Sequence, residues 1–585
     1  METAPVELVV IGAGWHGLVS AKTYLEVNPS ARVIILDKSP TIGGVWAQHR
    51  LYPGLNTNNM LGTYEFSDFP MTDDHAFGVK SGEHIPGHVV HEYLKSYAEK
   101  YDILKLCRFS EDVKTAEKLD GAGWTLTVEK SGGETYKLTT SKLVVATGLT
   151  SEPFLPDFEG ADEFGAPIIH CGNLRQHSEA LFAEATNVVV FGGTKSAWDA
   201  AYAFATRGVH VDWVIRESGH GPVWMSPPYV TPLKKWLEKL VTTRFLTWFS
   251  PCIWSGADGF NITRGFLHGT AIGRLITRRF WAVLGGDVIY LNGYDKHPET
   301  AKLKPWVDAF WVAAGLSILN YPTNFFDLVK EGKISVHIRD VTKLTSKTVH
   351  LSPSASSEES ITSIRADALI CSTGWKFHPP MNFVSPDGKK IDTKLGLPHH
   401  SKEPASNDPI VQQADSEILS RFPILQNQPK INPKLTPLSN TTDLNRGFSL
   451  YRFMVPPALI HERTIAFNGM VQTISTSMIA QAQALWITAY LDGKLPMLNG
   501  DSKTLEDQVV RETTLHARFG RWRYPGGYGA RYPDFVFDAM PYIDLLLGDL
   551  GLNTRRKQGL VSECFEPYGP ADYVGLVEEW KKTQA

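Results

Sequence analysis

One piece of sequence grammar constrains this chain more than any other, and it occurs twice. Near the N-terminus an apolar run at 8–11 meets Gly12-Ala13-Gly14-Trp15-His16-Gly17, then Leu18, Ala21 and Leu25 at helical spacing, then a second apolar run at 32–36. After 180 residues (192 − 12), Asn187-Val188-Val189-Val190-Phe191 leads into Gly192-Gly193-Thr194-Lys195-Ser196-Ala197, a helical stretch to Ala205 and an apolar run at 209–215. Strand, glycine turn, helix and parallel strand make a βαβ unit, so the expected fold class is α/β with two Rossmann-like dinucleotide-binding domains. Two further segments share one design: Val144-Val145-Ala146-Thr147-Gly148 and Ile370-Cys371-Ser372-Thr373-Gly374. Each reads as a buried strand that closes the sheet of one unit or marks the passage between units.

In the first turn Gly12 permits the tight bend, Gly14 lets the backbone approach a pyrophosphate, and Gly17 lets helix pack on strand. Asp37, 25 residues after Gly12, ends the second strand where a ribose hydroxyl needs an acceptor. The second turn is looser, with Thr194 and Ala197 at the second and third glycine positions. Arg216, 24 residues after Gly192, replaces the acid. A guanidinium there suits the 2′-phosphate of NADPH, with Lys195 and Thr194 as helpers; the alternative is a surface arginine paired with Glu217 or solvent. Two nucleotide sites of opposite chemistry imply electrons passing between cofactors.

At 585 residues the chain is too long for one core. Its 43 % hydrophobic and 21 % charged residues exclude a disordered chain, and 58 Lys+Arg against 62 Asp+Glu create no field for nucleic acid, so none is expected. The five cysteines are scattered singly without a C-x-x-C pair, which argues against a disulfide framework and a dithiol redox centre and favours a reducing, cytoplasmic setting. Residues 2–5 run straight into the first strand, so no secretion signal is expected. The longest apolar stretches, such as 245–254, fall short of the roughly 20 residues that span a bilayer, so no transmembrane segment is expected. His399 and His400 are adjacent in a loop and face apart; no metal is expected.

Between the two units the chain reads Asp37-Lys38-Ser39-Pro40-Thr41-Ile42-Gly43-Gly44-Val45-Trp46, Tyr52-Pro53-Gly54-Leu55-Asn56-Thr57-Asn58 and Phe66-Ser67-Asp68-Phe69-Pro70. With both glycine turns, both Thr-Gly strands, Pro86-Gly87-His88 and Gly469-Met470-Val471-Gln472, it resembles the class B flavin-dependent monooxygenases, the flavin-containing monooxygenase branch in particular. The resemblance implies FAD at the first turn, NADPH at the second, and a flavin C4a-(hydro)peroxide as the oxygenating species. It further implies that Gly43, Gly44, Val45 and Trp46 border the flavin, that Thr57 and Asn58 lie near its reactive edge, and that Gln472 approaches its pyrimidine side. Lys38, Val113, Ala146, Thr147, Gly148, Gly192, Gly193, Ser196, Thr373 and Gly374 complete the cofactor-binding set. Asn58 is the catalytic candidate, because a neutral amide can donate to the peroxide or the nicotinamide; the alternative is a turn cap beside Gly62.

The chain departs from the pattern at the fingerprint Phe164-Gly165-Ala166-Pro167-Ile168-Ile169-His170, where Ala166 replaces glycine and Leu174 stands where an aromatic is usual. His170 is read as a hinge or packing residue. The Lys-Arg pair of the Baeyer-Villiger branch is missing, with Leu319-Asn320-Tyr321-Pro322-Thr323-Asn324 in its place. The expected function is therefore oxygenation at N, S or C of a small, apolar or aromatic substrate by O2. The rivals are a Baeyer-Villiger enzyme making an ester or lactone, and an NADPH-flavin reductase or oxidase without oxygen transfer. The expected domains are an FAD domain split as 1–165 and 330–585, the second part with a C-terminal extension, and an NADPH domain at 166–329.

Inside the latter, 224–311 holds seven of the chain's 16 tryptophans among basic residues. It reads as a helical insertion: foremost a packing surface against the second unit, next a lid over an apolar substrate, last a contact with a membrane surface. The tract 518–524 alternates cations and rings and is read as a packed C-terminal loop, and 352–360 as a solvated turn.

Overall fold

Apolar runs become strands buried on both faces, as parallel sheets require. In the computed structural model, which describes residues 6–312, 315–353, 362–403, 405–430, 432–438, 445–500 and 502–584, the first unit is β1 (Val6–Ile11), α1 (Trp15–Val27) and β2 (Val33–Asp37), with Val9 paired to Ile34. Segment 2–5 and most of the 352–360 turn lie outside the described residues. β3 (Asn56–Met60) stands apart from this sheet, paired with residues 84–86. β4 (Cys107–Phe109) joins β2, and β5 (Glu111–Lys118), β6 (Trp124–Lys130) and β7 (Thr135–Val145) form an antiparallel meander. β7 changes character along its length. Its first half is largely exposed, while its last three residues are buried as Val145 pairs with Ile11.

The second sheet runs β11-β10-β9-β12-β8, where β8 is Ile168–His170, β9 Asn187–Phe191, β10 His210–Ile215, β11 Ile334–Ile338 and β12 Leu369–Cys371; α2 (Lys195–Ala205) connects β9 to β10. Residues 334–338 and 369–371 therefore belong to the second sheet, although the expected boundary at 329 put them in the first unit. Main-chain pairing decides it: Phe191 pairs with Cys371 and Trp213 with Val336. Only beyond this point does the chain return, adding β13 (Asn382–Val384) beside β5 and β14 (Ile465–Phe467) beside β7. The protein is thus α/β, with two Rossmann-like sheets and the first assembled from distant parts of the chain.

The aromatic insertion is largely helical, with α3 (Leu237–Val241), α4 (Arg244–Thr247), α5 (Asn261–Gly269) and α6 (Ala271–Asn292). Its partner is not chiefly the second unit, as expected, but the C-terminal region of α7 (Thr476–Leu491), α8 (Ser502–Arg523) and α9 (Ala539–Asp549). Trp254 lies with ring centroids 5.3 Å from each of Phe453, Phe519 and Phe535, and Trp281 4.7 Å from Phe537. The tract 518–524 is no loop: its residues to Arg523 are the last turns of α8. Arg518 holds Asp415 through two hydrogen bonds and Arg523 is fully buried, donating to the Phe310 carbonyl at 2.6 Å, so these cations serve packing.

Candidate functional site

The three glycines of the first turn answer to different demands. Gly12 has φ +112°, and a Cβ there would lie 2.5 Å from the Ala146 carbonyl oxygen. At Gly17 a Cβ would lie 1.8 Å from the Gly12 oxygen. Gly14 meets neither requirement: its φ is −92°, and the nearest atom to a Cβ would be Gly44 Cα at 3.5 Å. Neither its own backbone nor its neighbours require glycine at position 14. The residues fit a pyrophosphate laid over the turn, because only an approaching ligand needs that Cβ absent. Asp37, at the end of β2, accepts from the Ala13 and Ser39 amides at 2.7 Å each, which fixes the turn; its remaining lone pairs are free to accept from a hydroxyl.

Around this turn Gly44 and Trp46 share a short helical turn, with Trp46 Nε1 donating to Tyr64 Oη at 3.1 Å and Val45 left exposed. Lys38 Nζ donates to the Ser151 carbonyl at 3.3 Å. Ala146 is buried, Thr147 Oγ1 is buried without a hydrogen-bond partner, and Gly148 turns the chain at φ +67°. The Val113 side chain lies in the apolar core under the sheet.

The second turn repeats the first. Gly192 has φ +126°, and a Cβ there would lie 2.3 Å from the Ser372 carbonyl oxygen, the counterpart of Ala146. That contact explains the glycine that opens each turn, and the small strand residue suits a side chain whose Cβ lies against the turn. Thr194, with φ −86°, takes the place of Gly14, while Gly193 backs onto Gly221, whose oxygen would be 2.5 Å from its Cβ. Ser196 lies beside the Cys171 thiol, and Ser372 Oγ is buried without a partner. Thr373 Oγ1 donates to the Phe154 carbonyl at 2.5 Å, and Gly374, at φ +89°, accepts from His170 Nε2 at 2.9 Å. His170 is itself a packing residue. Burial lowers its pKa to about 4, so it is neutral at physiological pH.

Two cations at this turn are engaged within the protein. Arg216 does not pair with Glu217: partly exposed, it donates to Ser218 Oγ at 2.7 Å and the Thr436 carbonyl at 2.9 Å, and its Nε lies 3.5 Å from Asp340. Lys195 is held on both sides. It is ion-paired with Asp199 and donates to Asn320 Oδ1 at 2.9 Å, while Asp199 accepts from Tyr321 Oη at 2.9 Å and Tyr52 Oη at 3.2 Å. Burial pulls the Lys195 ammonium below its ordinary pKa. Asn320 in turn donates to the carbonyls of Asn56 at 3.1 Å and Thr57 at 3.0 Å. Helix α2 of the second unit is therefore wired to β3.

On β3 the Thr57 hydroxyl is fully engaged, accepting from the Ile85 amide at 3.0 Å and donating to the Asn59 carbonyl. Asn58 lies within the strand and caps no turn, and its Oδ1 is buried without a hydrogen-bond partner. Gln472 is held by its backbone, donating to Pro533 at 2.9 Å and accepting from Phe535 at 2.8 Å.

Sequence reasoning missed Glu238. Only 3 % exposed, this carboxylate of the insertion accepts from the Met60 amide at 2.9 Å, Trp236 Nε1 at 2.8 Å, Thr63 Oγ1 at 3.1 Å and Asn59 Nδ2, clamping the end of β3. A lone acid in Leu237-Glu238-Lys239 carries no signal of burial in sequence. Burial raises its pKa from 4.5 to about 7. Between those values the folded protein holds a proton the unfolded chain lacks, so this stabilisation is complete below 4.5 and lost as pH rises through 7. Unfolding of the wild type between about pH 5 and about pH 8 should lose up to about 3 kcal/mol that Glu238→Gln does not lose. Parallel stability curves for the two proteins in urea titrations would show that Glu238 does not titrate there.

Among the described residues no group of His, Cys, Asp or Glu could hold a metal ion, all five cysteines are free thiols, and no helix is long and apolar enough to cross a membrane. Residues 9–246 match the pyridine nucleotide-disulphide oxidoreductase family. The chain is 35 % identical over 602 residues to the FAD-dependent monooxygenase resA of Aspergillus sclerotiorum, covering 99 % of this chain and 98 % of that protein. It is 33 % identical to the FAD-dependent monooxygenase rstn6 of Aspergillus nomiae, with 98 % of each chain covered. In fold it resembles the closed form of cyclohexanone monooxygenase (TM-score 0.58, 15 % identity, 94 % of this chain and 98 % of that one). S-allyl-L-cysteine S-oxygenase from Allium sativum shares the fold too (TM-score 0.53, 14 % identity, 99 % of this chain and 93 % of that one). Identity sustained over the whole length, on a fold with two glycine turns set against two Thr-Gly strands, makes this chain a member of the FAD-dependent monooxygenases.

Proposed function

We propose that the protein is an NADPH-dependent monooxygenase that holds FAD at the Gly12–Gly14–Gly17 turn and NADPH at the Gly192–Thr194 turn, and transfers one oxygen atom from O2 to a small apolar or aromatic molecule. The observation that carries this reading is the chain of contacts from Lys195 through Asn320 to Thr57, which ties the helix of one nucleotide turn to the strand bearing Asn58. Bound FAD supplies the redox chemistry, taking a hydride from NADPH and then activating O2. The protein supplies position and dryness. Asn58, its amide oxygen buried without a hydrogen-bond partner among the described residues, stands as a neutral donor and acceptor on β3. Asn320 places an uncharged amide against β3, which supports oxygenation at N, S or C over ester formation. Five free thiols suit a cytoplasmic setting.

Asn58→Ala should keep FAD and still oxidise NADPH, while H2O2 released per NADPH rises about tenfold, the scale of losing one well-placed polar group. Unchanged coupling would remove the role given to Asn58. Arg216→Ala should reduce the preference for NADPH over NADH by about ten- to a hundredfold, the worth of one charge-assisted phosphate contact. Equal loss with both nucleotides would make Arg216 a structural partner of Asp340 and Thr436. Mass spectrometry and NMR of the product distinguish an N-, S- or C-oxygenated compound from an ester.

A further inference from the structure

Helices α5 and α6 leave an unusual amount of apolar surface in water. Eight of the 19 large apolar side chains exposed among the described residues fall within the 32 residues 261–292. On α6, Ile272, Ile276, Val283 and Tyr290 follow at intervals of 4, 7 and 7 residues. At about 100° per residue they lie within roughly 40° of one another. Ile272, Val283 and Tyr290 are 67, 72 and 73 % exposed, and Ile262 and Phe266 continue the apolar surface on α5. The opposite side of α6 is anchored, with Trp281 buried and its Nε1 donating to the Phe249 carbonyl at 2.8 Å. A helix with one side in the core normally gives its other side to charged residues; this one does not.

Its fully exposed charges are of one sign. Arg278 and Arg279 are exposed and form no hydrogen bond or ion pair among the described residues. Arg279, seven residues after Ile272, lies about 20° from Ile272 around the helix, along the edge of the apolar stripe. Asp287 is the one acid in the two helices, and its carboxylate accepts from the Thr231 amide at 2.6 Å. That bond sets the hairpin of residues 229–236 beside α6, with Leu233 77 % exposed next to Lys234.

A protein partner covering the stripe would bury Arg279 among apolar groups, and a twofold contact with a second copy would set Arg278 and Arg279 against their own equivalents. A bilayer imposes neither cost, since long guanidinium stems reach lipid phosphates while the apolar side chains enter the headgroup boundary. We propose that α5 and α6 dock in the plane of an anionic lipid bilayer, with the stripe inserted and Arg278 and Arg279 on lipid phosphates.

The test uses FAD-loaded full-length protein and sedimentation with two kinds of vesicle, phosphatidylcholine alone and phosphatidylcholine with phosphatidylserine. The wild type should partition onto the anionic vesicles and come off as salt rises. Ile272→Glu/Val283→Glu should lower partitioning by about tenfold or more, and Arg278→Glu/Arg279→Glu should lower binding to the level on neutral vesicles. Both variants should keep their FAD content and NADPH oxidation in solution, since the altered residues face water. Absence of wild-type binding to anionic vesicles would overturn the proposal, as would binding unchanged in both variants. A wild-type dimer that Ile272→Glu/Val283→Glu dissociates in analytical ultracentrifugation, without vesicle binding, would assign the face to a second copy instead.

Discussion

Gly14→Val should fold and emerge from purification colourless. At this position φ is −92°, a value any residue adopts, and a Cβ would meet nothing closer than Gly44 Cα at 3.5 Å. The fold therefore leaves room for a Cβ here, where a pyrophosphate laid over the turn would not. Flavin stoichiometry should fall from about one per chain to below about a tenth, with far-UV circular dichroism unchanged. Gly17→Val makes the complementary control, since a Cβ there would lie 1.8 Å from the Gly12 oxygen and should disrupt folding itself. A yellow, fully loaded Gly14→Val protein would remove FAD from this turn.

The largest effect on stability is expected at Arg244, far from either turn. This guanidinium is fully buried and holds Asp544 through both terminal nitrogens, Glu563 through Nε, the Thr554 carbonyl at 2.7 Å and Tyr568 Oη at 3.3 Å. It joins α4 of the insertion to α9 and to residues 554–568. Burial pushes the Asp544 carboxyl up to about 6 even beside the arginine. Arg244→Ala strands two buried acids and should cost about 3–5 kcal/mol in urea unfolding at saturating FAD. Without the arginine the Asp544 carboxyl is held higher still, so the deficit should grow as pH rises and shrink toward about pH 5, where protonation neutralises it. A loss below about 1 kcal/mol at neutral pH would mean that the triad is dispensable to the union of insertion and tail.

What was legible in the sequence is what short-range pattern encodes. The turn at 12–17 and the acid at 37 lie within one βαβ unit, and the structure joins them directly through the Ala13 amide. The likeness of the two Thr-Gly strands was visible as well; that each lies beneath a glycine turn, with the carbonyl of Ala146 or Ser372 against it, was not. The boundary at 329 failed because β12 is three residues long and is placed by pairing with residues some 180 positions earlier, which no local period reports. Glu238 and Arg244 were invisible for a related reason. A charged residue in an amphipathic stretch reads as solvated, and only partners 178 or 300 residues away show it to be buried. The tract 518–524 misled in the opposite direction, since its alternating rings and cations are the buried and half-buried sides of a helix packed on Asp415 and Phe310. Lys195 was read as a helper at a phosphate from its place in the turn; its bond to Asn320, 125 residues later, was not legible there.

The central claim, that electrons pass from NADPH through FAD to O2 and from there into a substrate, is tested most directly without knowing the substrate. FAD-loaded protein is reduced by NADPH without oxygen and then mixed with oxygenated buffer, while flavin absorbance and H2O2 are followed together. Rapid bleaching by NADPH is expected, then reoxidation in two resolved steps through an absorbing state distinct from oxidised and reduced flavin, with H2O2 appearing only in the second. Reoxidation in one step with immediate release of H2O2 would contradict it and leave a reductase or oxidase.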